Sequence, residues 1–290
     1  MSLDTQLHSL DRPLRLGVRP RRLAQAVRLE GLGNLLARGL FRVTLGLALP
    51  AAVIAIWSFA AHYELLAPQI LPAPSLVWET TADLLLSGQL LYELGVSFAR
   101  LTVGLAFGAL LGLACGLAFA LSEKLDTYVA PTVRAIFLVP SLGWLPFFML
   151  IFGIGETLKI VLIAKTCFLP LMVGVYGAIR TLPEKYNDVS RALELDRRAH
   201  LRYVILPAVV PAIATGLRQA LSKGWKVLIL VEMISSAAGI GYLMMWGRKS
   251  FQLDVVFATM IVVGLVGLLF DRGVMWFERR TAGWSLHTAS

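Results

Sequence analysis

Seven ionisable side chains stand within or near apolar segments, where a charge is costly: Arg100, Lys159, Lys165, Arg218, Lys223, Lys226 and Glu232. At membrane depth such side chains usually face a bundle interior or a water-filled cavity. Cations along such a route would lower the barrier to an anion, and Lys165 and Lys226 are our candidates. In the structural alternative, Glu232 pairs with Lys226 or another nearby cation. Arg100 and Lys159 would then reach towards the membrane surface.

Several aromatic or sulfur-containing side chains of the same segments could also line a route: Trp144, Phe147, Phe148, Trp225 and Met233. Packing in a core is the commoner role for each of them. Trp225 adjoins Lys226, and we predict these two residues, with Lys165 and Glu232, as the substrate path.

Motifs for catalysis are missing from the sequence. There is no G-x-x-x-x-G-K-[ST] phosphate loop, so the chain does not itself bind ATP in the usual way. No G-x-S-x-G elbow is present, and the four histidines form no H-E-x-x-H pattern. Cys115 and Cys167 lie in apolar runs and give neither a disulfide framework nor a zinc spacing. We therefore predict no enzyme activity, no metal site and no cofactor bound by this chain.

The composition is that of a membrane protein. Of the 290 residues, 57% are hydrophobic and 16% are charged, whereas soluble domains have about 25% charged residues. At roughly 20 apolar residues per span, six windows predict membrane-spanning helices, near residues 43–63, 92–121, 129–153, 157–180, 202–235 and 254–278. The predicted fold is all-α and polytopic.

The charge distribution predicts the orientation of the spans. The net charge is +9, and the cations cluster in residues 1–42, 180–202 and 272–280, whereas 64–91 has none. This positive-inside pattern places both termini in the cytoplasm. The predicted organisation is a cytoplasmic Arg-rich tail (1–42), a first transmembrane helix (43–63), a periplasmic loop (64–91), a core domain with five further spans (92–280) and a cytoplasmic tail (281–290).

The second predicted span contains a glycine stripe, Gly104, Gly108, Gly112 and Gly116. Residues four apart share a helix face, so the stripe predicts a smooth groove that admits a neighbouring backbone. Ordinary tight packing accounts for such a groove, and a helix that slides during a conformational cycle is the functional alternative.

A charged island interrupts the apolar sequence in the predicted cytoplasmic segment 181–201. Tyr186, Val189 and Leu193 recur at spacings of three and four residues, which predicts a short helix with one apolar face. Such a helix can lie on lipid headgroups, pack on neighbouring helix ends or dock into another protein.

The island resembles the cytoplasmic signature loop of permease subunits of ABC importers. That pattern is E-A-A, a glycine about four residues later, and Leu-Pro near the start of the next helix. Here Asp188-Val189-Ser190 stands at E-A-A, Glu194 at the glycine and Leu206-Pro207 at the Leu-Pro. Four other stretches resemble the branch that imports nitrate, taurine and alkanesulfonates: "VSFARLTVGLAFG" at 96–108, "VPSLGWLPFFMLIFGIGETLKI" at 139–160, "GLRQALSKGWKVLILVEM" at 216–233 and "FDRGVMWFERRTAGW" at 270–284. The resemblance extends over about residues 64–284.

The resemblance implies a type I ABC importer-like permease fold and a set of partners. A second copy of the permease would complete the pathway. A dimer of separate ATPase subunits, which carry ATP and Mg, would bind on the cytoplasmic side, and a periplasmic binding protein would deliver the substrate. The helix around 187–197 would couple the permease to the ATPase through Asp188, Val189, Ser190, Arg191, Leu193, Glu194, Leu195, Asp196 and Arg197.

Glu194 departs from the glycine of that pattern. A left-handed residue with a Cβ costs roughly 1–2 kcal/mol. Either the turn has another conformation, or Glu194 supplies a contact with a basic groove on the ATPase.

The implied cargo is a small sulfur-containing organic anion such as an alkanesulfonate, taurine or a sulfate ester. Nitrate and a pyrimidine precursor of thiamine are alternatives within the same architecture. A stand-alone secondary transporter or channel is the alternative from another class. We find no inverted repeat of the kind that such transporters show.

Overall fold

The computed structural model describes residues 48–67 and 70–282. The predicted N-terminal tail at 1–42 lies outside this range, as do residues 283–290 of the predicted C-terminal tail at 281–290. Of the described residues, those up to Leu65 belong to one compact unit and those from Leu66 onwards to another. In the first unit the structure describes one apolar helix, α1 (Ala48–His62).

The second unit consists of helices throughout its described residues, in agreement with the all-α prediction. They are α2 (Pro74–Leu86), α3 (Gln89–Leu121), α4 (Glu123–Tyr128), α5 (Ala130–Leu138), a 3₁₀ turn (Ser141–Trp144), α6 (Leu145–Phe152), α7 (Glu156–Arg180), α8 (Glu184–Ala192), α9 (Arg197–His200), a π turn (Leu201–Ile205), α10 (Leu206–Ser235), α11 (Ile240–Lys249) and α12 (Leu253–Ala282).

Four of these helices are long and apolar enough to cross a membrane: α3, α7, α12 and the continuous helix Arg198–Ser235 that contains α10. The pair formed by α5 and the segment Ser141–Phe152 would give a fifth crossing. Because α1 is described only from Ala48 and is shorter than a span, the sixth crossing stays a prediction.

The segment predicted as one span at 129–153 is sharply bent in the structure. The axes of its two halves differ by 92°. Pro140 has no backbone N–H and disfavours helical geometry in the residue before it. Val139 accordingly has an extended backbone, with φ −68° and ψ 123°, and α5 ends there.

Two segments between the predicted spans contain helices. Residues 74–86 form α2, within the predicted loop 64–91, and 240–249 form α11. Both helices are much shorter than a span, so a search for long apolar windows does not detect them. The Thr80 hydroxyl donates to the Asp254 carboxylate over 2.7 Å and links α2 to α12.

The core of the second unit lies where α3, α7 and α10 pack together. The glycine stripe of α3 faces α7, and a Cβ added at Gly112 would lie 2.5 Å from the Phe168 carbonyl oxygen. At Gly116 the corresponding distance to the Met172 carbonyl oxygen is 2.7 Å. The absence of side chains therefore lets α3 approach the backbone of α7 directly.

Candidate functional site

The charged island forms a helix whose apolar side chains are uncovered. Val189 is 56% exposed and Leu193, at the end of α8, is 65% exposed. Asp188 and Arg191 lie one turn apart, with 3.7 Å between the Arg191 Nη1 and the Asp188 Oδ1, and both are also exposed. A surface of this composition, apolar at its centre with ions beside it, is suited to contact with another protein.

Glu194 has the backbone conformation that the glycine of the pattern would adopt. Its φ is +48°, in the left-handed region. The Leu195 N–H donates to the Ser190 carbonyl over 3.1 Å, and the Glu194 N–H donates to the Arg191 carbonyl over 3.0 Å. These two bonds define a Schellman motif, which commonly ends a helix on glycine. The turn therefore forms with glutamate at position 194, where the family pattern has glycine.

Two residues of the island hold this turn against the next helix. Ser190 is buried, and its hydroxyl lies 2.7 Å from Nδ1 of His200. The Asp196 carboxylate accepts from the Ala199 N–H over 2.8 Å and caps α9. Within the predicted coupling set Ser190 thus faces inward, whereas Asp196, Val189 and Leu193 are exposed. Leu195 is half-buried, and the Arg197 side chain is outside the described part of the structure.

The island is joined to the long span without a break. Helical residues run continuously from Arg198 to Ser235, 38 residues in all, through a π turn that directly precedes Leu206-Pro207. At 1.5 Å per residue such a helix is about 57 Å long, so it reaches from the island through the full thickness of a bilayer.

An ion network surrounds the far end of this helix. Arg100 on α3 and Glu232 on α10 are 6% and 0% exposed, and 2.7 Å separates the Arg100 Nη1 from the Glu232 Oε1. The remaining Arg100 nitrogens donate to both oxygens of Glu156, over 2.6 and 2.7 Å. Lys159, one turn further along α7, donates to Glu156 over 2.7 Å.

Glu232 and a further buried carboxylate, Glu93, cap α11. The Gly239 N–H donates to Glu93, and the Gly241 N–H donates to Glu232 over 3.0 Å. The Ile240 N–H donates to the Ser97 hydroxyl, which itself donates to Glu232. The N–H groups at the start of a helix have no partner within the helix, and anions there are stabilising. Three spans and α11 therefore meet at one polar cluster.

The structure separates the four residues predicted for the substrate path. Glu232 is fully enclosed in the ion network, and its partner is Arg100 instead of Lys226. Arg100 and Lys159 are buried and do not reach the surface. Trp225 is buried between Phe98 and Phe270, and its Nε1 donates to the Val263 carbonyl. Lys165 is half-buried on α7, and Lys226 is exposed on α10.

The sequence analysis missed two candidate path residues, Thr215 and Gln219, which lie on the same face of α10 as Lys223 and the predicted path residue Lys226. Thr215, Gln219, Lys223 and Lys226 are all exposed and share one face of α10. The first three of these also line a cavity of about 490 Å³ beside Pro170, Gly174 and Pro211. Their spacing of four, four and three residues was the available signal, but it lies within an apolar segment.

Comparison with known proteins defines the class to which this fold and its island belong. The family of binding-protein-dependent transport system inner membrane components matches residues 104–283. The chain belongs to this family, as the resemblance predicted, and it is the membrane component of an ABC importer and not an enzyme. Family members work with ATPase and substrate-binding partners.

Individual relatives place the chain in the nitrate, taurine and sulfonate branch. It is 36% identical to a Bacillus subtilis (strain 168) protein named as an aliphatic sulfonates transport permease, SsuC, over 82% of this chain and 87% of that protein. Identity is 29% to the taurine transport permease TauC of Escherichia coli (strain K12), over 84% and 90% of the two chains. It is 28% to the nitrate import permease NrtB of Leptolyngbya laminosa, over 82% and 88%.

A solved structure shows the same fold. A chain from an amino acid ABC transporter crystallised with histidines superposes with a TM-score of 0.58 at 19% identity. The match covers 71% of this chain and 97% of that one. The predicted permease fold is thereby confirmed.

Proposed function

We propose that this chain imports a small sulfur-containing organic anion, such as an alkanesulfonate, taurine or a sulfate ester. The observation that carries the proposal is the 36% identity, over most of both chains, to a protein named for aliphatic sulfonate transport. The exposed cations Lys223 and Lys226 on α10 also favour an anion, since positive charge on a path lowers the barrier to negative cargo. Nitrate remains the alternative, because a relative named for nitrate is nearly as similar as the one named for taurine.

The pathway in this proposal lies between two copies of the chain. Four polar side chains on one face of a membrane helix would be costly against lipid, by about 2.5–3.5 kcal/mol for each central lysine. Placing the face with Thr215, Gln219, Lys223 and Lys226 towards a second copy removes that cost and provides a polar route. Ion pairing with the cargo would then occur within a water-filled space at the subunit contact.

Coupling to the ATPase would occur through α8. Val189 and Leu193 present uncovered apolar area, and Asp188 and Arg191 supply charges that fix orientation. Since the helix Arg198–Ser235 continues from the island, a displacement of α8 would be transmitted along α10. Helix α8 must stay bound to the ATPase in both conformations of the pathway, so that ATP hydrolysis can bias one of them.

The proposed orientation places α8 and both termini in the cytoplasm of a bacterial cell, and the loop before α11 in the periplasm. The clusters of cations in residues 1–42, 180–202 and 272–280 support this orientation. The ion network around Glu232 would then lie at the periplasmic end of the pathway, opposite the ATPase.

Deletion of the gene in its native host tests the cargo. Growth on ethanesulfonate or taurine as the sole sulfur source should be lost, and growth on sulfate should be retained. Growth on nitrate as the sole nitrogen source should also be retained. Loss of growth on nitrate alone would support the alternative cargo, and unchanged growth on every sulfonate would refute the proposal.

A further inference from the structure

A second cavity, of about 630 Å³, lies between α3, the bent pair and α7. Its walls are apolar and largely aromatic, with Phe107, Phe137, Trp144, Phe148 and Phe168 among them, and Lys165 is the single charged residue of the lining. Phe107, Leu111 and Ile136 are exposed, so the cavity opens to the surface of the subunit. Its volume is within the range usual for sites that bind small molecules.

Two of the residues that line this cavity, Lys165 and Trp144, carry hydrogen-bond donors. The Lys165 Nζ lies 5.1 Å from the ring centre of Phe137 and 5.6 Å from that of Trp144. It donates to one acceptor, the Val139 carbonyl left free by the bend, over 3.1 Å. The Trp144 Nε1 is buried and has no hydrogen-bond partner among the residues that the structure describes. Buried donors without a partner are rare in folded proteins, and each calls for an explanation.

We propose that this cavity binds an amphipathic organic anion, with its sulfonate group on Lys165 and Trp144 and its alkyl or aryl group against the apolar wall. This inference rests on the function proposed above and narrows its cargo. A sulfonate has three acceptor oxygens, so it can accept from the ammonium and the indole together. Its hydrocarbon group would fill space that is lined by side chains from α3 and α5.

The shape of the site selects against small inorganic anions. Nitrate or bicarbonate could contact Lys165 but would leave the aromatic wall uncovered, and so would gain nothing from its apolar area. Each additional methylene of a sulfonate, by contrast, removes more apolar surface from water. Affinity should therefore rise with the length of the hydrocarbon group.

A phospholipid and a second copy of the chain are the two other molecules that could occupy an apolar groove. Lys165 is nine residues along α7 from Glu156, about 14 Å at 1.5 Å per residue, which is near the middle of a bilayer. A phospholipid headgroup lies at the membrane surface and does not reach this depth. A second copy of the chain would cover the apolar wall, but an apolar surface on that copy would offer no acceptor to the Lys165 ammonium or the Trp144 Nε1.

Calorimetric titration of the complete transporter, reconstituted in nanodiscs with its ATPase, tests the site. Hexanesulfonate is the probe, methanesulfonate and nitrate are the comparison anions, and empty nanodiscs correct for partition into lipid. Hexanesulfonate should bind the native protein more tightly than methanesulfonate does. Lys165→Met should weaken this binding by at least about 30-fold, and Trp144→Phe by about 2- to 10-fold.

Two further variants separate the site from general damage. Lys124→Met makes the same change at an exposed position in α4 and should leave binding unaltered. Ala164→Leu fills the cavity from α7, and it should weaken hexanesulfonate binding by about 10-fold or more while sparing methanesulfonate.

Equal hexanesulfonate affinities in the native, Lys165→Met and Ala164→Leu proteins would overturn the inference. So would a phospholipid that co-purifies in a Lys165-dependent manner and is not displaced by hexanesulfonate. If ATP-driven sulfonate uptake persists in these cases, the proposed function survives and only this site is wrong. If the native transporter takes up no sulfonate at all, the proposed function itself is wrong.

Discussion

The guanidinium of Arg100 lies 2.7 Å from the carboxylate of Glu232, and both side chains are buried where α3 meets the end of α10. Glu232 is in the same continuous helix that begins beside the coupling island, at the opposite end. The pair therefore fixes the end of that helix to α3 and, through Glu156, to α7. When this end of the helix moves, either α3 moves with it or the ion pair breaks.

Removal of the guanidinium should be strongly destabilising. Arg100→Met leaves the Glu232 carboxylate buried without its cation, and the expected loss is about 3–5 kcal/mol. The double variant Arg100→Met/Glu232→Leu should be less destabilised than Arg100→Met alone, because no uncompensated charge remains. Thermal unfolding of the purified subunit in detergent measures both effects.

The matched control for this prediction is Arg134→Met. Arg134 makes a longer, partly exposed pair with Asp126, at 3.5 Å. Its loss should cost about 1 kcal/mol or less. Similar unfolding midpoints for Arg100→Met and Arg134→Met would show that burial does not strengthen the Arg100 pair.

The sequence was sufficient to single out Glu232 as an acid at membrane depth but not to identify its partner. Arg100 is 132 positions away, and only the packing of α3 on α10 brings the two together. Hydropathy similarly located the long spans because their apolar windows are local signals. The helices α2 and α11 are too short for such a window, and the bend that Pro140 sets at Val139 lies inside one. The cavity around Lys165 depends on contacts between distant segments, which periodicity does not report.

Substitution at the glycine stripe should disrupt the contact between α3 and α7. Gly112→Leu would place a Cβ 2.5 Å from the Phe168 carbonyl oxygen, and the helix backbones must separate to relieve the clash. The expected loss of stability is about 3 kcal/mol, with a lower yield of folded protein. Gly95→Leu is the control on the same helix, because no atom lies within 4 Å of its Cβ position. If both variants unfold alike, the stripe has no special packing role.

Spacing alone predicted that the four glycines share a face, and the structure places them against α7. The same reasoning could not identify α7 as the neighbour, since Gly104, Gly108, Gly112 and Gly116 carry no information about the opposing surface. Their partner is a helix that itself contains Pro170 and remains regular around it. Whether α3 slides along α7 during transport stays a prediction.

Replacement of Glu194 by glycine should stabilise the island. Its φ of +48° costs a residue with a Cβ roughly 1–2 kcal/mol relative to glycine. Glu194→Gly should therefore raise the free energy of unfolding by about 1 kcal/mol, whereas Glu194→Ala retains the backbone cost and should have little effect. Thermal unfolding of the free permease tests the pair. A Glu194→Gly variant no more stable than Glu194→Ala would contradict the left-handed turn.

Val189 and Leu193, the apolar side chains of the island, are exposed in the free subunit. If α8 is the ATPase contact, Val189→Asp and Leu193→Asp should each weaken ATPase binding by more than about 10-fold, since a carboxylate would be buried without a partner. Co-purification of the ATPase and sulfonate-stimulated ATP hydrolysis measure this. Phe251→Asp introduces the same charge at a still more exposed apolar residue between α11 and α12 and should leave ATPase binding intact. Undiminished co-purification with both α8 variants would exclude the island as the coupling surface.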